Sequence, residues 1–131
     1  MRICVYARSA IDLNDKGISS VEKQKKCAIE YIRKNFPDAV FDPERDTYLD
    51  PNAGGHNFDR IGYQQMKAAI FRGEYNVLVV RDIARLSRCG AGIMEQNALM
   101  AHGVRIIGYS DGFYEDKPLD LYNIIYSYFK M

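Results

Sequence analysis

The chain has 131 residues, 47% apolar and 27% charged, with a formal net charge of +1. That length suits one domain with a real hydrophobic core, and the near-neutral charge excludes a polycation, so any nucleic-acid surface must come from local clustering of Arg and Lys. Cys4, Cys27 and Cys89 have no metal-ligand spacing, and their odd number argues against a disulfide framework; with no apolar run of membrane-spanning length and no signal-peptide pattern, a cytoplasmic protein is expected.

Ile3–Ala7 is an apolar run of strand length that ends at Arg8 and Ser9. A run without polar alternation is what a strand covered on both faces looks like, so it is expected at the centre of a parallel sheet. Ligands and catalytic groups gather beyond the carboxyl ends of such strands, which is where Arg8 and Ser9 stand. A polar loop follows. Ser19 and Glu22 then have capping-box spacing, and Val21, Ala28, Tyr31 and Ile32 recur at helical spacing, predicting a helix over about 20–34. Ala39–Phe41 is a short candidate strand, followed by an acidic stretch to Asp50. Pro51 with Gly54 and Gly55 marks a loop. Asp59 is a candidate cap for a helix over about 61–72, with Tyr63, Met66 and Ile70 on one face and Gly73 as its stop. Tyr75–Val80 reads as a second buried strand, about 91–102 as a third helix closed by Gly103, and Val104–Tyr109 as the last clear strand. The alternation predicts an α/β fold, a mainly parallel sheet of about four strands with helices on both faces. In the tail, Leu121, Ile124, Ile125, Tyr128 and Phe129 form a broad apolar face, expected as the start of a longer helix and as a partner surface.

Arg85 and Arg88 share one face of a helical turn beyond the second buried strand. With Arg8 they could form a bidentate anion site suited to phosphate, against the plainer alternative of solvated loop arginines. Arg60 carries the same pair of readings. Gln24, near the end of the first strand, is either a solvated helix residue or a hydrogen-bond partner for a phosphate or an active-site Arg. The acidic residues Asp42, Glu44, Asp46 and Asp50 raise a metal site as an alternative to a solvated turn, although they lack the glycine and downstream Glu of a calcium loop. His56 and His102 do not suggest zinc. Cys4 reads as core, and Cys89 has no evident His base.

Four segments in order resemble the catalytic domain of the serine recombinases, the resolvase–invertase family, and among them the large phage integrases and transposases. Tyr6-Ala7-Arg8 resembles the family's opening Tyr-x-Arg, and Gly17-Ile-Ser-Ser-Val-Glu-Lys-Gln24 its Gly-x-Ser-[Ile/Leu]-Glu-x-Gln segment. Gly55-His-Asn-Phe-Asp-Arg60 is similar to Gly-Thr-Asn-Phe-Asp-Arg, and Arg85-Leu-Ser-Arg88 to Arg-Leu-x-Arg. Two departures stand beside these matches. Gly54 replaces a frequent Ser, and Ala10 occupies the place of the nucleophilic serine two residues after the opening arginine, while Ser9 lies one place early and so on the opposite side of an extended chain. Either an engineered serine-to-alanine change or a natural non-cleaving variant accounts for Ala10, and the persistence of the arginines and Gln24 favours the former.

The resemblance implies a resolvase-type, flavodoxin-like domain that performs site-specific recombination of double-stranded DNA. A serine hydroxyl would attack the scissile phosphate, leaving a 5′-phosphoserine link and a free 3′ hydroxyl, with the bond energy conserved and no ATP needed. The implied catalytic set is Arg8, position 10, Gln24, Arg60, Arg85 and Arg88. Its arginines do the charge stabilisation that a metal does elsewhere, so no metal or cofactor is expected. Residues from about 118 to 131 would begin a dimerisation helix, with a sequence-reading DNA-binding region beyond Met131. The assembly would be a homodimer, and a tetramer in the synaptic complex, without membrane contact. Two rivals are a DNA-assembly or regulatory paralogue that does not cleave, and a flavodoxin-like small-ligand or nucleotide-binding module. The missing Gly-x-Gly-x-x-Gly fingerprint counts against the latter.

Overall fold

The first strand, β1 (Ile3–Arg8), is buried at all six positions, as its unbroken apolar run requires. The structure is a computed structural model and describes residues 1–9, 18–51, 61–81 and 90–110. After β1 come α1 (Ile18–Asn35), β2 (Thr47–Asp50), α2 (Ile61–Phe71), β3 (Val77–Val80), α3 (Gly90–Ala101) and β4 (Arg105–Gly108). The strands form one parallel sheet in the order β2-β1-β3-β4.

The pleat sends alternate side chains of β1 to opposite faces. Cys4 and Tyr6 join Tyr63, Met66 and Ile70 of α2 and Leu99 of α3 in one cluster, and Ile3 and Val5 join Ala28 and Ile32 of α1 in the other. The sheet is thus covered on both sides, as expected. Each fully buried branched or aromatic side chain contributes roughly 1.5–3 kcal/mol of transfer free energy. The helices α2 and α3 end where Gly73 and Gly103 take left-handed backbone angles, φ 78° and 89°, a conformation that costs glycine nothing.

Three sequence expectations are corrected. Ala39–Phe41 forms no strand; Val40 makes only an isolated parallel bridge to Arg2. The edge strand is Thr47–Asp50, inside the stretch read as an acidic turn, because an edge strand has one paired flank and can carry polar residues. Finally, α1 begins at Ile18, so Ser19 lies inside its first turn and does not cap it. Asp59, the other proposed cap, lies outside the described residues, as does the apolar tail.

The acidic stretch is not a solvated turn either. Asp46 is fully buried, and its carboxylate accepts hydrogen bonds from Arg45 Nε (2.9 Å) and Nη2 (3.0 Å), the Asp42 N–H (2.9 Å) and the Tyr75 hydroxyl (2.7 Å). Because Tyr75 donates to Asp46, Tyr48 donates across the 3.0 Å contact between the two phenols. Burial drives the Asp46 carboxyl upward, but these hydrogen bonds together outweigh it and hold it below its ordinary value. Burial first, and then the hydrogen bonds with Tyr48 and Asp46, push the Tyr75 hydroxyl far above its own. A carboxyl depressed on folding stabilises the protein above its unfolded pKa, and that stability is lost as pH falls through the folded value. Resistance to urea unfolding should therefore fall below about pH 4, and Asp46→Asn should flatten that acid limb. Superimposable acid limbs for the two proteins would refute this role for Asp46.

Candidate functional site

In a sheet ordered β2-β1-β3-β4 the chain leaves β1 to one side and later enters β3 on the other, so the crevice between the carboxyl ends of β1 and β3 is the topological switch point. Arg8 and Ser9 end β1 there. Arg8 is only 8% exposed and is the one buried arginine among the described residues. Parallel pairing sets it opposite Asp50, and the Ser9 N–H donates to the Asp50 carbonyl at 3.2 Å. Ser9 itself is 5% exposed.

Gln24 is buried, not a solvated helix residue. From α1 its Nε2 donates to the Arg8 carbonyl at 3.0 Å and to Ser20 Oγ at 3.2 Å. The amide therefore fastens α1 to the end of β1, and it reaches the backbone of Arg8, not the guanidinium. Beside it on the α1 side lies a cleft of about 640 Å³, bounded also by Arg81 after β3 and Ser110 after β4. Of the expected catalytic set, the structure brings Arg8 and Gln24 together. Ala10, Arg60, Arg85 and Arg88 lie outside the described residues, as do His56 and Cys89.

Asp50 is the residue whose weight the sequence reading missed. Its Oδ1 accepts the Gly62 N–H and its Oδ2 accepts the Tyr63 N–H and the Tyr6 hydroxyl, each at 2.8 Å. A carboxylate at the end of β2 thus caps the N-terminus of α2, where unpaired N–H groups and the helix dipole favour negative charge. The approach is so close that a Cβ on Gly62 would stand 2.8 Å from the Leu49 carbonyl oxygen and 2.9 Å from Asp50 Oδ1. Only glycine fits there. An acidic residue ending a short strand before Pro51 was the available signal, and the acidic cluster around it hid it.

Cys4 is core, as expected; burial, then the Asp46 charge, raise its thiol well above the ordinary value. Among the described residues no group of three potential metal ligands comes together, and no helix is long and apolar enough to cross a membrane.

The strand order and the carboxyl-edge crevice define a flavodoxin-like, parallel α/β domain. The chain matches the family described as "Resolvase, N terminal domain" over residues 3–128, and it belongs to that family. Three solved structures share its architecture. The N-terminal catalytic domain of TP901-1 integrase aligns with TM-score 0.74 at 15% identity, over 99% of this chain and 95% of that one. The C-terminal catalytic domain of ISC1926 TnpA, an IS607-like serine recombinase, aligns with TM-score 0.69 at 20% identity, over 98% and 82%. A serine recombinase from Sulfolobus solfataricus gives 0.55 at 21% identity, over 96% and 81%. At such identities the likeness is one of fold. No curated protein matches the sequence significantly.

Proposed function

We propose that this chain is the catalytic domain of a site-specific DNA recombinase, whose parent reaction joins a serine to the 5′ phosphate of a cut strand and then reverses. The observation that carries the reading is the burial of Arg8 at the switch point of a resolvase-family domain. A cation held there by the sheet is preorganised for charge growing on a phosphate, with little reorganisation left to the reaction itself. Arg60, Arg85 and Arg88 share that task by their motif positions, and Gln24 keeps the Arg8 backbone in place. Double-stranded DNA is the substrate, with dimers pairing into a tetramer at synapsis. Residues from about 118 to 131 begin the dimerisation helix, and sequence-reading lies in a further region. With Ala10 at the nucleophile position the chain as it stands does not cleave. The intact Arg8–Gln24 contact also fits a second reading, a paralogue that assembles on DNA without cutting.

Titration of the labelled protein with a short DNA duplex at low ionic strength, followed by NMR, tests the substrate class. The Ser9 and Gln24 amides should shift, and affinity should fall linearly in log K against log salt. Binding of FMN or ATP more tightly than the duplex would favour the small-ligand module and overturn the recombinase.

A further inference from the structure

The cleft beside Gln24 is walled by the first turns of α1, contributing Ser19, Ser20 and Lys23, and by Arg81 and Ser110 from the ends of β3 and β4. Among the described residues its lining holds two cations, three serine hydroxyls and no carboxylate. Lys23 and Arg81 are exposed, and neither pairs with an acid among the described residues. The first turn of α1 carries no acidic side chain, so the positive end of an 18-residue helix adds to the same field. In a chain of net charge +1 the positive charge of these described lining residues is local, and it lies next to the end of β1 through Gln24.

We propose that this cleft is a second phosphate subsite, in which Lys23 and Arg81 hold a DNA backbone phosphodiester at the carboxyl edge of the sheet on its α1 side, apart from the phosphate taken at Arg8. The assignment rests on the recombinase reading and deepens it. Neither Lys23 nor Arg81 is one of the motif arginines. Its cations bind whether or not a bond is cut, and they fix the register of the strand instead of serving the chemistry. The volume exceeds what one phosphate fills and suits a nucleotide-sized portion of a strand.

The test compares two double variants of the same charge. Lys23→Gln with Arg81→Gln empties the subsite. Arg33→Gln with Lys34→Gln removes two charges from the last turn of α1, about 15 Å further along the helix. Duplex affinity is measured across a salt series. Cys27, an exposed thiol lining the cleft, is the local reporter in a Cys89→Ser background, because the buried Cys4 does not alkylate. The cleft variant should lower the salt slope by about 0.9, the value of one lost phosphate contact, and duplex should no longer protect Cys27 from iodoacetamide. The Arg33 and Lys34 variant should keep both slope and protection. Equal effects in the two variants, or no protection of Cys27 in the parent, would overturn the subsite while duplex binding itself left the recombinase standing. Absence of any duplex binding would remove both. Protection by inorganic phosphate as strong as by duplex, at equal phosphate concentration, would reassign the cleft to a small free anion and overturn the DNA assignment.

Discussion

On the proposed recombinase function, Ala10→Ser should produce a protein that leaves itself attached to the 5′ end of cleaved DNA, where the Ala10 protein should form no such adduct. The expected change is on the order of 10⁶-fold, the scale on which loss of an enzyme's nucleophile is felt. The motive is the pattern of what is kept: Arg8 is buried at the switch point, Gln24 holds its carbonyl, and the sequence has Ala10 at the motif position of the family's nucleophilic serine. Ser9 is a poor substitute, since it is buried and its N–H is tied to the Asp50 carbonyl. The assay is a denaturing gel of the protein incubated with duplex DNA. A covalent adduct formed by the Ala10 protein would make Ser9 or another residue the nucleophile. An Ala10→Ser protein that binds its site and still forms no adduct would point instead to the non-cleaving paralogue.

The largest loss of stability from a single truncation outside the apolar core is expected at Asp50. Asp50→Ala strips the acceptor from three donors at once, the Gly62 and Tyr63 N–H groups and the Tyr6 hydroxyl. Each buried donor left unpaired costs roughly 1–3 kcal/mol. The sum is then about 3–9 kcal/mol, a large part of the 5–15 kcal/mol by which a domain of this kind is stable. Tyr6→Phe, which removes one of the three bonds together with its donor, should cost only about 1 kcal/mol. Urea denaturation of the two variants decides it, and a loss below about 1 kcal/mol for Asp50→Ala would show that water or another group satisfies the N-terminus of α2.

Much of this molecule was legible in one dimension because its signals are local. The apolar run ending at Arg8, the helical spacing of Val21, Ala28 and Ile32, and the glycines at 73 and 103 report burial and backbone conformation from neighbours a few residues apart, and the structure agrees with each. The four motif segments likewise pointed to the family by order alone. What sequence could not reveal depends on residues far apart in the chain. Thr47–Asp50 pairs as a strand because β1 offers it an edge, and its polar composition gives no hint of that. The Asp50 carboxylate caps a helix that begins eleven residues later, and Asp46 meets Tyr75 from 29 residues away. A carboxylate's solvation and partners are set by what packs around it in space, so the same acidic letters that read as a solvated turn became, once folded, two buried anchors of the sheet's edge.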